Sequence, residues 1–366
     1  MDYLKIKDLS FNYGKKNILD NINLNINKGE VISLVGPSGC GKSTLLRAII
    51  GLEQIQSGEI KLNNKVISSK KVNIAVDKRR MGIVFQNPSL FPHITAEDNI
   101  FFGIKKKNNK YIYENRKEIS KDYLELFDLP DIANKFPHEL SGGEQQRVSL
   151  IRTLVSQPDI ILLDEPFANL DSVIRKRIRT NVIDTLREKK STVIIVTHDP
   201  QEAMELSDKI CILNKGKIIE NSSTRNIYYE PESLFTADFF GSLNVIECTS
   251  SDNNITTPFG KKILDVFSEK SQKAITHFVQ ESNADSSIFK LYVRPEHLAI
   301  VDSGTKDSLE GIVDKITFFG GTSLVYVKIT GLSKRFRVNN YGMCNLKVGD
   351  SIFIKPSYEN MLFFNV

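Results

Sequence analysis

Short apolar runs of strand length occur at intervals in the first half of the chain. Residues 31–35, 160–163 and 192–196 are largely apolar segments rich in β-branched side chains. Residues 43–50 follow the first run after a glycine-rich turn, and their composition favours a helix. Continuous apolar strands are typical of parallel sheets that are covered on both faces. The pattern therefore predicts an α/β domain with a buried sheet of parallel strands.

A helical segment interrupts this strand pattern. From about residue 88 to residue 158 strand signals are sparse, whereas residues 122–127 and 144–155 have helical patterning. Apolar strands resume at residue 160. We therefore predict a largely helical insert over about 88–158 within the α/β domain.

The pattern changes in the last third of the chain. Ser, Asn and Thr cluster at 249–257, and apolar and polar residues alternate at 322–329 and 351–355. Gly320-Gly321 lies between residues 316–319 and 324–327, as in a hairpin whose turn needs a positive φ. These features predict a small all-β domain.

Length and composition agree with two domains. The 366 residues exceed the length at which a single hydrophobic core stops growing, and we place the domains at 1–240 and 241–366. Hydrophobic residues make up 40% and charged residues 25% of the chain. This balance is that of a folded globular protein and excludes a disordered one.

The sequence favours a cytosolic protein. No stretch approaches the roughly 18 apolar residues of a membrane-spanning helix, so we expect any membrane association to be peripheral. The first residues lack the apolar core of a secretory signal. The net charge of +5 argues only weakly for anionic partners. The cysteines lack the paired spacing of zinc sites or disulfides, which fits a reducing cytosol; they are Cys40, Cys211, Cys248 and Cys344.

A glycine-rich sequence between the first apolar strand and its helix matches the pattern G-x-x-x-x-G-K-[ST]. Glycines let backbone N–H groups turn around phosphate oxygens, and the start of a helix adds positive potential. Lys42 is suited to the β- and γ-phosphates of a nucleotide, and Ser43 is suited to Mg²⁺. The predicted nucleotide site comprises Gly36, Pro37, Ser38, Gly39, Cys40, Gly41, Lys42, Ser43 and Thr44.

Two adjacent carboxylates end the apolar strand at 160–163. Asp164 is suited to hold Mg²⁺ beside a triphosphate, and Glu165 is suited to act as general base toward the attacking water. Taken alone, the pair could also be an exposed acidic end of a strand with no catalytic or metal-binding role. In combination with the phosphate loop, the pair predicts hydrolysis of the triphosphate.

Residues 140–148 read Leu-Ser-Gly-Gly-Glu-Gln-Gln-Arg-Val and precede that strand. This string resembles the signature motif of ABC ATPases, and the two nucleotide motifs flank it in the expected order. The resemblance implies a head-to-tail dimer in which Ser141, Gly142, Gly143 and Glu144 of one copy complete the nucleotide site of the other. A helix start with small residues also offers N–H donors to an anion. A simple helix cap accounts for Ser141 but not for the whole string.

Further matches extend the resemblance over nearly the whole first domain. Gln86 resembles the glutamine that senses Mg²⁺ and links the catalytic core to the helical insert. His198 resembles the switch histidine that contacts the γ-phosphate, although a lone histidine can also be structural. Tyr13 resembles the aromatic residue that stacks on adenine, with core packing as the alternative.

The segment that ends in Asp171 resembles the D-loop, which crosses the dimer interface in the family. Ala168-Asn169 is a mild departure from the family pattern and leaves the implied role of Asp171 intact. The fold implied for the first domain is that of a P-loop NTPase, with a mixed sheet and a helical subdomain.

The second domain resembles the OB-like TOBE domain found behind many importer ATPases. The resemblance is carried by residues 293–297 and 311–329, whereas 245–289 match only loosely. OB-like folds bind nucleic acid or sugars in some proteins. No basic stripe interleaved with aromatic residues occurs here, so we expect a dimer contact or a regulatory role and no nucleic acid.

The resemblance implies the ATP-hydrolysing motor of an ABC importer, peripheral to the cytoplasmic face of the inner membrane, with ATP and Mg²⁺ as cofactors. The implied partners are a second copy of the chain, integral membrane permease subunits and, indirectly, an extracytoplasmic substrate-binding protein. Residues 90–95, 164–171 and 317–321 look most like ferric-iron importer ATPases. Polyamine, sulfate, molybdate and sugar importers remain open.

Two other functions are less consistent with the sequence. A non-transport ABC ATPase acting on DNA or ribosomes is disfavoured, because the chain has one phosphate loop and no long heptad segment. A GTPase is disfavoured because residues 214–217 read Asn-Lys-Gly-Lys, without the aspartate of a guanine-reading N-K-x-D element.

Overall fold

The computed structural model describes residues 2–104, 109–251, 254–282, 287–332 and 334–365. The chain divides into two compact units, Met1–Thr224 and Arg225–Val366. Residues 225–240, which the sequence pattern placed in the first domain, group with the second unit in this division. Among the described residues, none of the helices combines the length and the apolar character that crossing a membrane needs.

The first unit contains an antiparallel sheet, a mixed sheet and several helices. Its strands are β1 (Asp2–Tyr13), β2 (Lys16–Asn27), β3 (Val31–Val35), β4 (Ser57–Leu62), β5 (Lys65–Ser69), β6 (Met81–Val84), β7 (Ile160–Asp164), β8 (Thr192–Val196), β9 (Lys209–Asn214) and β10 (Lys217–Ser223). Its helices are α1 (Lys42–Ile50), α2 (Ala96–Ile100), α3 (Lys110–Glu114), α4 (Arg116–Leu126), α5 (Gly142–Val155), α6 (Ser172–Glu188) and α7 (Pro200–Leu206). The antiparallel sheet has the strand order β2-β1-β4-β5.

The mixed sheet has the strand order β10-β9-β3-β8-β7-β6. Strands β6, β7, β8, β3 and β9 are parallel, and β10 is antiparallel to β9. Successive residues of β7 enter opposite hydrophobic cores, with Ile160 and Leu162 in one and Ile161 and Leu163 in the other. The sheet is therefore covered on both faces, which confirms the predicted buried parallel strands.

The strand order determines where the candidate site lies. Strand β8 pairs with β3 on one side and with β7 on the other, all in parallel. Because parallel strands end at the same edge of a sheet, the segments that follow β3, β7 and β8 meet there. These segments are the glycine-rich loop, the residues from Glu165 onward and the turn that contains His198.

The predicted helical insert between β6 and β7 is confirmed in the part of it that the structure describes. Helix α5 includes the predicted residues 144–155, and α4 ends at Leu126, within the predicted 122–127. Thr95 caps α2 by accepting a hydrogen bond from the Asp98 N–H at 3.2 Å. Helix α2 packs against α5, the helix that begins at the candidate signature motif.

The second unit is built mainly from antiparallel strands. They are β11 (Asn244–Ser251), β12 (Asn254–Thr257), β13 (Gly260–Ile263), β14 (Ser287–Val293), β15 (Leu298–Val301), β16 (Leu309–Phe318), β17 (Thr322–Ile329), β18 (Arg335–Tyr341), β19 (Ser351–Pro356) and β20 (Leu362–Phe363). The helices that accompany them are α8 (Thr224–Tyr229), α9 (Leu234–Phe239) and α10 (Glu269–Ser282). One sheet has the order β13-β12-β11-β14-β20 and the other β15-β19-β16-β17-β18, and both contribute to one hydrophobic core.

The sequence predicted the hairpin in this unit but not its longest helix. Gly320 has a φ of 83°, and the Phe319 N–H donates to the carbonyl of Thr322 at 2.8 Å, which confirms the hairpin between β16 and β17. Helix α10 was not predicted, because its residues fall in a region interpreted as all-β. Ile275 and Phe278 pack into the core at helical spacing, and this spacing was the available signal.

Candidate functional site

The loop between β3 and α1 requires glycine at the points where its backbone turns. Gly36, Gly39 and Gly41 have φ values of 148°, 77° and 110°. A Cβ atom on Gly36 would lie 1.9 Å from the carbonyl oxygen of Leu213, and one on Gly41 would lie 2.8 Å from Cδ2 of Leu19. The glycines thus allow a tight loop that ends at the N-terminus of α1, where backbone N–H groups are free to bind an anion.

Lys42 opens α1 and is held by the loop that precedes it. Its side chain is largely buried, and Nζ donates to the carbonyl oxygens of Gly36 at 2.8 Å and Pro37 at 3.0 Å. These contacts place the ammonium group inside the loop. Cys40 is buried beside it, and burial raises the pKa of the Cys40 thiol, so this residue remains neutral at physiological pH.

Ser43 and Asp164 bring two oxygen ligands together. The Ser43 hydroxyl donates to Oδ1 of Asp164 at 3.1 Å. Burial is the main cause that raises the pKa of Asp164, the nearby charge of Glu165 raises it further, and the bond from Ser43 opposes the rise. A hydroxyl and a carboxylate at this spacing are hard oxygen ligands of the kind that suit Mg²⁺.

Glu165 lies between two side chains from other segments. The Gln86 amide nitrogen donates to its Oε2 at 3.2 Å, and Nδ1 of His198 lies 3.1 Å from its Oε1. Its backbone has a positive φ of 48°, and its N–H donates to the carbonyl of Val196 at 2.9 Å. The strained backbone turns the carboxylate toward the phosphate loop, where it can accept a proton from water.

Most of these groups line one cavity of about 640 Å³, but Asp164 is not among its lining residues and reaches it through the bond from Ser43. Its lining residues are Lys16, Ile18, Ser38, Gly39, Gly41, Lys42, Ser43, Thr44, Gln86, Glu165 and His198. Sequence reasoning missed Lys16 and Ile18, which are alternate residues of β2 and therefore share one face of that strand. The lining combines lysines, hydroxyls and the start of α1, a donor set that fits a triphosphate.

Tyr13 lies at the end of β1 and is not among the residues that line this cavity. Its strand partner is Lys16, which does line it. The Tyr13 ring is 46% exposed, its edge contacts Phe11, and its hydroxyl donates to Oε1 of Glu53. Core packing therefore does not explain Tyr13, and its exposed ring is available for stacking.

The candidate signature motif lies outside the cavity lining. Ser141 caps α5 by accepting a hydrogen bond from the Glu144 N–H at 3.3 Å, and Glu144 Oε2 accepts from the Ser141 N–H at 2.7 Å. The hydrogen bonds from Ser141 are the main cause that lowers the pKa of Glu144. Ser141 and Gly142 are exposed, and a Cβ on Gly142 would meet no atom of the described chain within 4 Å. The motif is thus a preformed, open helix start.

Asp171 ends the segment that leads into α6. Its carbonyl accepts from the Arg175 N–H at 2.7 Å, and the Arg175 side chain donates to the carbonyl of Leu170 at 2.7 Å. The Asn169 side chain donates to the carbonyl of Gln86 at 3.4 Å. These contacts tie the candidate D-loop to α6 and to the Gln86 segment, and Asp171 itself is exposed.

Comparison with known proteins agrees with this site. The family described as ABC transporter matches residues 19–168, and the family described as TOBE domain matches residues 291–364. The chain is 36% identical over 318 residues to the Fe(3+) ions import ATP-binding protein FbpC of Fusobacterium nucleatum, covering 87% of this chain and 81% of the relative. It is 40% identical over 363 residues to the spermidine/putrescine import ATP-binding protein PotA of Spiroplasma citri, covering 98% of this chain and 96% of the relative.

Two solved structures resemble a little over 60% of the chain. A dimeric structure of a post-hydrolysis state of an ATP-binding cassette, bound to ADP and Pi, has a TM-score of 0.53 and 32% sequence identity and covers 61% of this chain and 99% of that chain. The structure of cbiO1 from Clostridium perfringens, part of the ABC transporter complex cbiONQ, has a TM-score of 0.55 and 31% identity. It covers 63% of this chain and 93% of that chain.

Proposed function

Because this chain belongs to the ABC transporter family of ATP-binding proteins, we propose that it is the ATP-hydrolysing subunit of an importer and works as a head-to-tail homodimer. Membership rests on the matching family profiles and on relatives such as the one that is 40% identical over 98% of the chain. The observation that carries the proposal is the position of Glu165. Its carboxylate lies 3.2 Å from Gln86 and 3.1 Å from His198, in the cavity that contains the phosphate loop.

ATP binding is assigned to the phosphate loop and to Tyr13. Backbone N–H groups of residues 38–44 surround the phosphates, and Lys42 neutralises the β- and γ-phosphates. Lys16 adds a second cation to the cavity wall. The exposed Tyr13 ring stacks on adenine, a contact worth about 1–3 kcal/mol.

Ser43, Asp164 and Gln86 are the residues that would hold Mg²⁺. The ion, when bound, neutralises charge on the phosphate oxygens. Ser43 and Asp164 supply oxygens that lie 3.1 Å apart. Gln86 directs its amide nitrogen toward Glu165, and its amide oxygen is the atom suited to a cation.

Glu165 is the proposed general base for hydrolysis. Its carboxylate accepts a proton from the attacking water, a function typically worth about 10²- to 10⁴-fold in rate. Gln86 contacts Oε2 of Glu165 and His198 contacts Oε1, and these two residues belong to different segments of the chain. The two contacts fix the orientation of the base. His198 is exposed and lines the cavity, which supports its assignment as the contact to the γ-phosphate.

The dimer proposal follows from the position of the signature motif. Residues 141–144 form an anion-binding helix start that does not line the cavity of their own chain. A second copy would bring this helix start, together with Asp171, to the γ-phosphate held by the first. A solved relative described as a dimeric ATP-binding cassette supports this arrangement.

As an importer subunit, the chain would have permease subunits in the membrane as partners. The relatives that support it are named import ATP-binding proteins. We infer that the dimer lies at the cytoplasmic face of the inner membrane, where its helical inserts act on permease subunits. A substrate-binding protein would deliver the cargo from outside. Opening and closing of the dimer then couples hydrolysis to uptake.

The proposed cargo is ferric iron. Residues 90–95, 164–171 and 317–321 resemble ferric-iron importer ATPases, and relatives named for Fe(3+) import match 70% to 95% of the chain. A polyamine is the second candidate, because a relative named for spermidine/putrescine import is 40% identical over 98% of the chain.

Uptake by a deletion strain distinguishes the two cargoes. Loss of labelled ferric-iron uptake, with labelled spermidine uptake retained and iron uptake restored by the parent gene, is the result that the iron proposal predicts. The reverse pattern would assign the chain to polyamine import. Loss of neither would contradict both assignments.

ATP turnover of Glu165→Gln tests the assigned chemistry. We expect kcat to fall by at least about 10²-fold with ATP affinity retained, because the amide cannot take the proton. Glu118→Gln, an exposed glutamate on α4, is the matched control and should leave kcat unchanged. Undiminished turnover in Glu165→Gln would exclude Glu165 as the base.

A further inference from the structure

The hydroxyl of Thr197 joins the two sides of the turn that contains His198. Thr197 is 2% exposed and follows β8 directly. Its Oγ1 accepts a hydrogen bond from the Asp199 N–H at 3.1 Å and donates to Oε2 of Glu202. One buried hydroxyl thus links the residue before His198 to the residue after it and to α7.

Glu202 is a buried acid with one of its two carboxylate oxygens bonded to Thr197. It lies in the first turn of α7 and is 7% exposed. Burial is the main cause that raises the pKa of Glu202, whereas the bond from Thr197 and the charges of Arg179 and Arg175 lower it. Among the described residues its Oε1 has no hydrogen-bond partner. A buried carboxyl with an unfilled acceptor destabilises a fold, so packing alone gives no reason for an acid at this position.

The cap of α7 completes the network around this turn. Asp199 is the N-cap, and its Oδ1 accepts from the N–H groups of Gln201 at 2.9 Å and Glu202 at 3.3 Å. On the other side, the Thr197 N–H donates to the carbonyl of Leu34 in β3 at 3.3 Å. The backbone on both sides of His198 is therefore fixed to the sheet and to α7.

We propose that Thr197 and Glu202 are positioning residues that hold His198 against Glu165. The distance that they would maintain is the 3.1 Å between Nδ1 of His198 and Oε1 of Glu165. Because His198 is exposed, its own side chain has little packing to fix it, and its orientation depends on the backbone of the turn. This inference rests on the proposed roles of Glu165 and His198 in hydrolysis.

Substitution of Thr197 tests the proposal through kcat. Thr197→Val keeps the shape of the side chain and removes the hydroxyl, whereas Thr197→Ser keeps the hydroxyl. We expect kcat of Thr197→Val to fall about 10-fold with KM for ATP changed less than about twofold, because alignment is lost while the nucleotide site stays intact. Thr197→Ser should recover kcat to within about threefold of the parent. If Thr197→Val purifies unfolded, Thr197→Ala removes the same hydroxyl with less bulk and is assayed instead.

A double substitution separates positioning from a general loss of stability. In a His198→Ala background, measured by single turnover, Thr197→Val should change the rate by less than about twofold, because the residue that it positions is absent. Thr185→Val is the matched control. Its hydroxyl donates to the carbonyl of Asn181 within α6, and its removal should leave kcat unchanged.

Three results would overturn the inference or its basis. An unchanged kcat in Thr197→Val would show that the hydroxyl does not position His198. An equal loss with and without His198 would show that Thr197 acts through the fold as a whole. If His198→Ala alone leaves kcat unchanged, the proposed role of His198 fails, and with it the reason to position that residue.

Discussion

The hydroxyl of Ser43 and the carboxylate of Asp164 are joined by a hydrogen bond of 3.1 Å, although 121 positions separate them in the chain. The two residues come from the start of α1 and the end of β7. Their contact follows from the parallel order β3-β8-β7, which brings the ends of these strands to one edge. The proposed metal site is thus a product of sheet topology.

Asp164 should lower the stability of the nucleotide-free protein at neutral pH. Burial raises its pKa, so the folded state binds the proton more tightly than the unfolded state does, and the ionised form opposes folding. We predict that Asp164→Asn raises the unfolding midpoint by roughly 2–4 °C at pH 7.5. The gain should shrink as pH falls through the raised pKa, because the parent carboxyl then becomes neutral as well.

Calorimetric scans across pH, without nucleotide or metal, measure this effect. Asp159→Asn is the control, because the Asp159 side chain is partly exposed, lies 3.5 Å from Arg80 and should give no such gain. A less stable Asp164→Asn, or a gain independent of pH, would contradict the electrostatic account. The same substitution should abolish hydrolysis, since an amide is a poor ligand for Mg²⁺.

Tyr13 should contribute to ATP affinity through its ring and not through its hydroxyl. Tyr13→Ala is expected to weaken ATP binding between about 5-fold and 150-fold, the range that corresponds to a stacking contact of about 1–3 kcal/mol. Tyr13→Phe keeps the ring, loses the bond to Glu53 and should stay within about threefold of the parent. Titration calorimetry with ATP provides the dissociation constants. Equal losses in both variants would assign the effect to the hydroxyl, against the stacking role.

Arg79 should be the main support for the C-terminal end of α1. It is 2% exposed, and its guanidinium donates to the carbonyls of Ile49 at 2.7 Å and Ile67 at 3.0 Å. Burial lowers its pKa to about 10, so it stays charged at neutral pH. Arg79→Met removes several buried hydrogen bonds, including the one to the Ile49 carbonyl, whereas the Ile67 carbonyl keeps the bond from the Ile74 N–H. The substitution should lower the unfolding midpoint by roughly 6–12 °C.

The neighbouring arginine provides the comparison for this measurement. The Arg80 side chain is 75% exposed and 3.5 Å from Asp159. Exposed ion pairs contribute at most about 1 kcal/mol, so Arg80→Met should shift the midpoint by less than about 4 °C. Equal shifts in the two variants would mean that the buried hydrogen bonds of Arg79 are not what supports α1.

Local motifs were predictable from the sequence because their chemistry depends on neighbouring residues. The glycines of the phosphate loop are required by local backbone geometry, so their spacing identifies them. The same holds for the parallel strands, whose apolar runs need cover on both faces. The signature motif at 141–144 was identified by its resemblance to ABC ATPases.

Contacts between distant segments were not predictable in this way. The placement of Glu165 between Gln86 and His198 depends on the strand order and on a positive φ at Glu165, neither of which a single sequence specifies. Lys16 was missed because its position on the cavity wall arises from how β2 packs on the phosphate loop. Whether the residues of the signature motif act on a second copy stays a prediction.

The molecular mass of Glu165→Gln at saturating Mg-ATP shows whether two copies of the chain close around the nucleotide. The chain has a mass of 41.4 kDa, and the account predicts a dimer of twice this mass in sedimentation, because slow hydrolysis prolongs the closed state. Adding Ser141→Arg should return the protein to a monomer that still binds ATP, since the substitution alters only the part lent to the other copy. A monomer of Glu165→Gln under these conditions, or a dimer that forms equally well with Ser141→Arg, would contradict the head-to-tail arrangement.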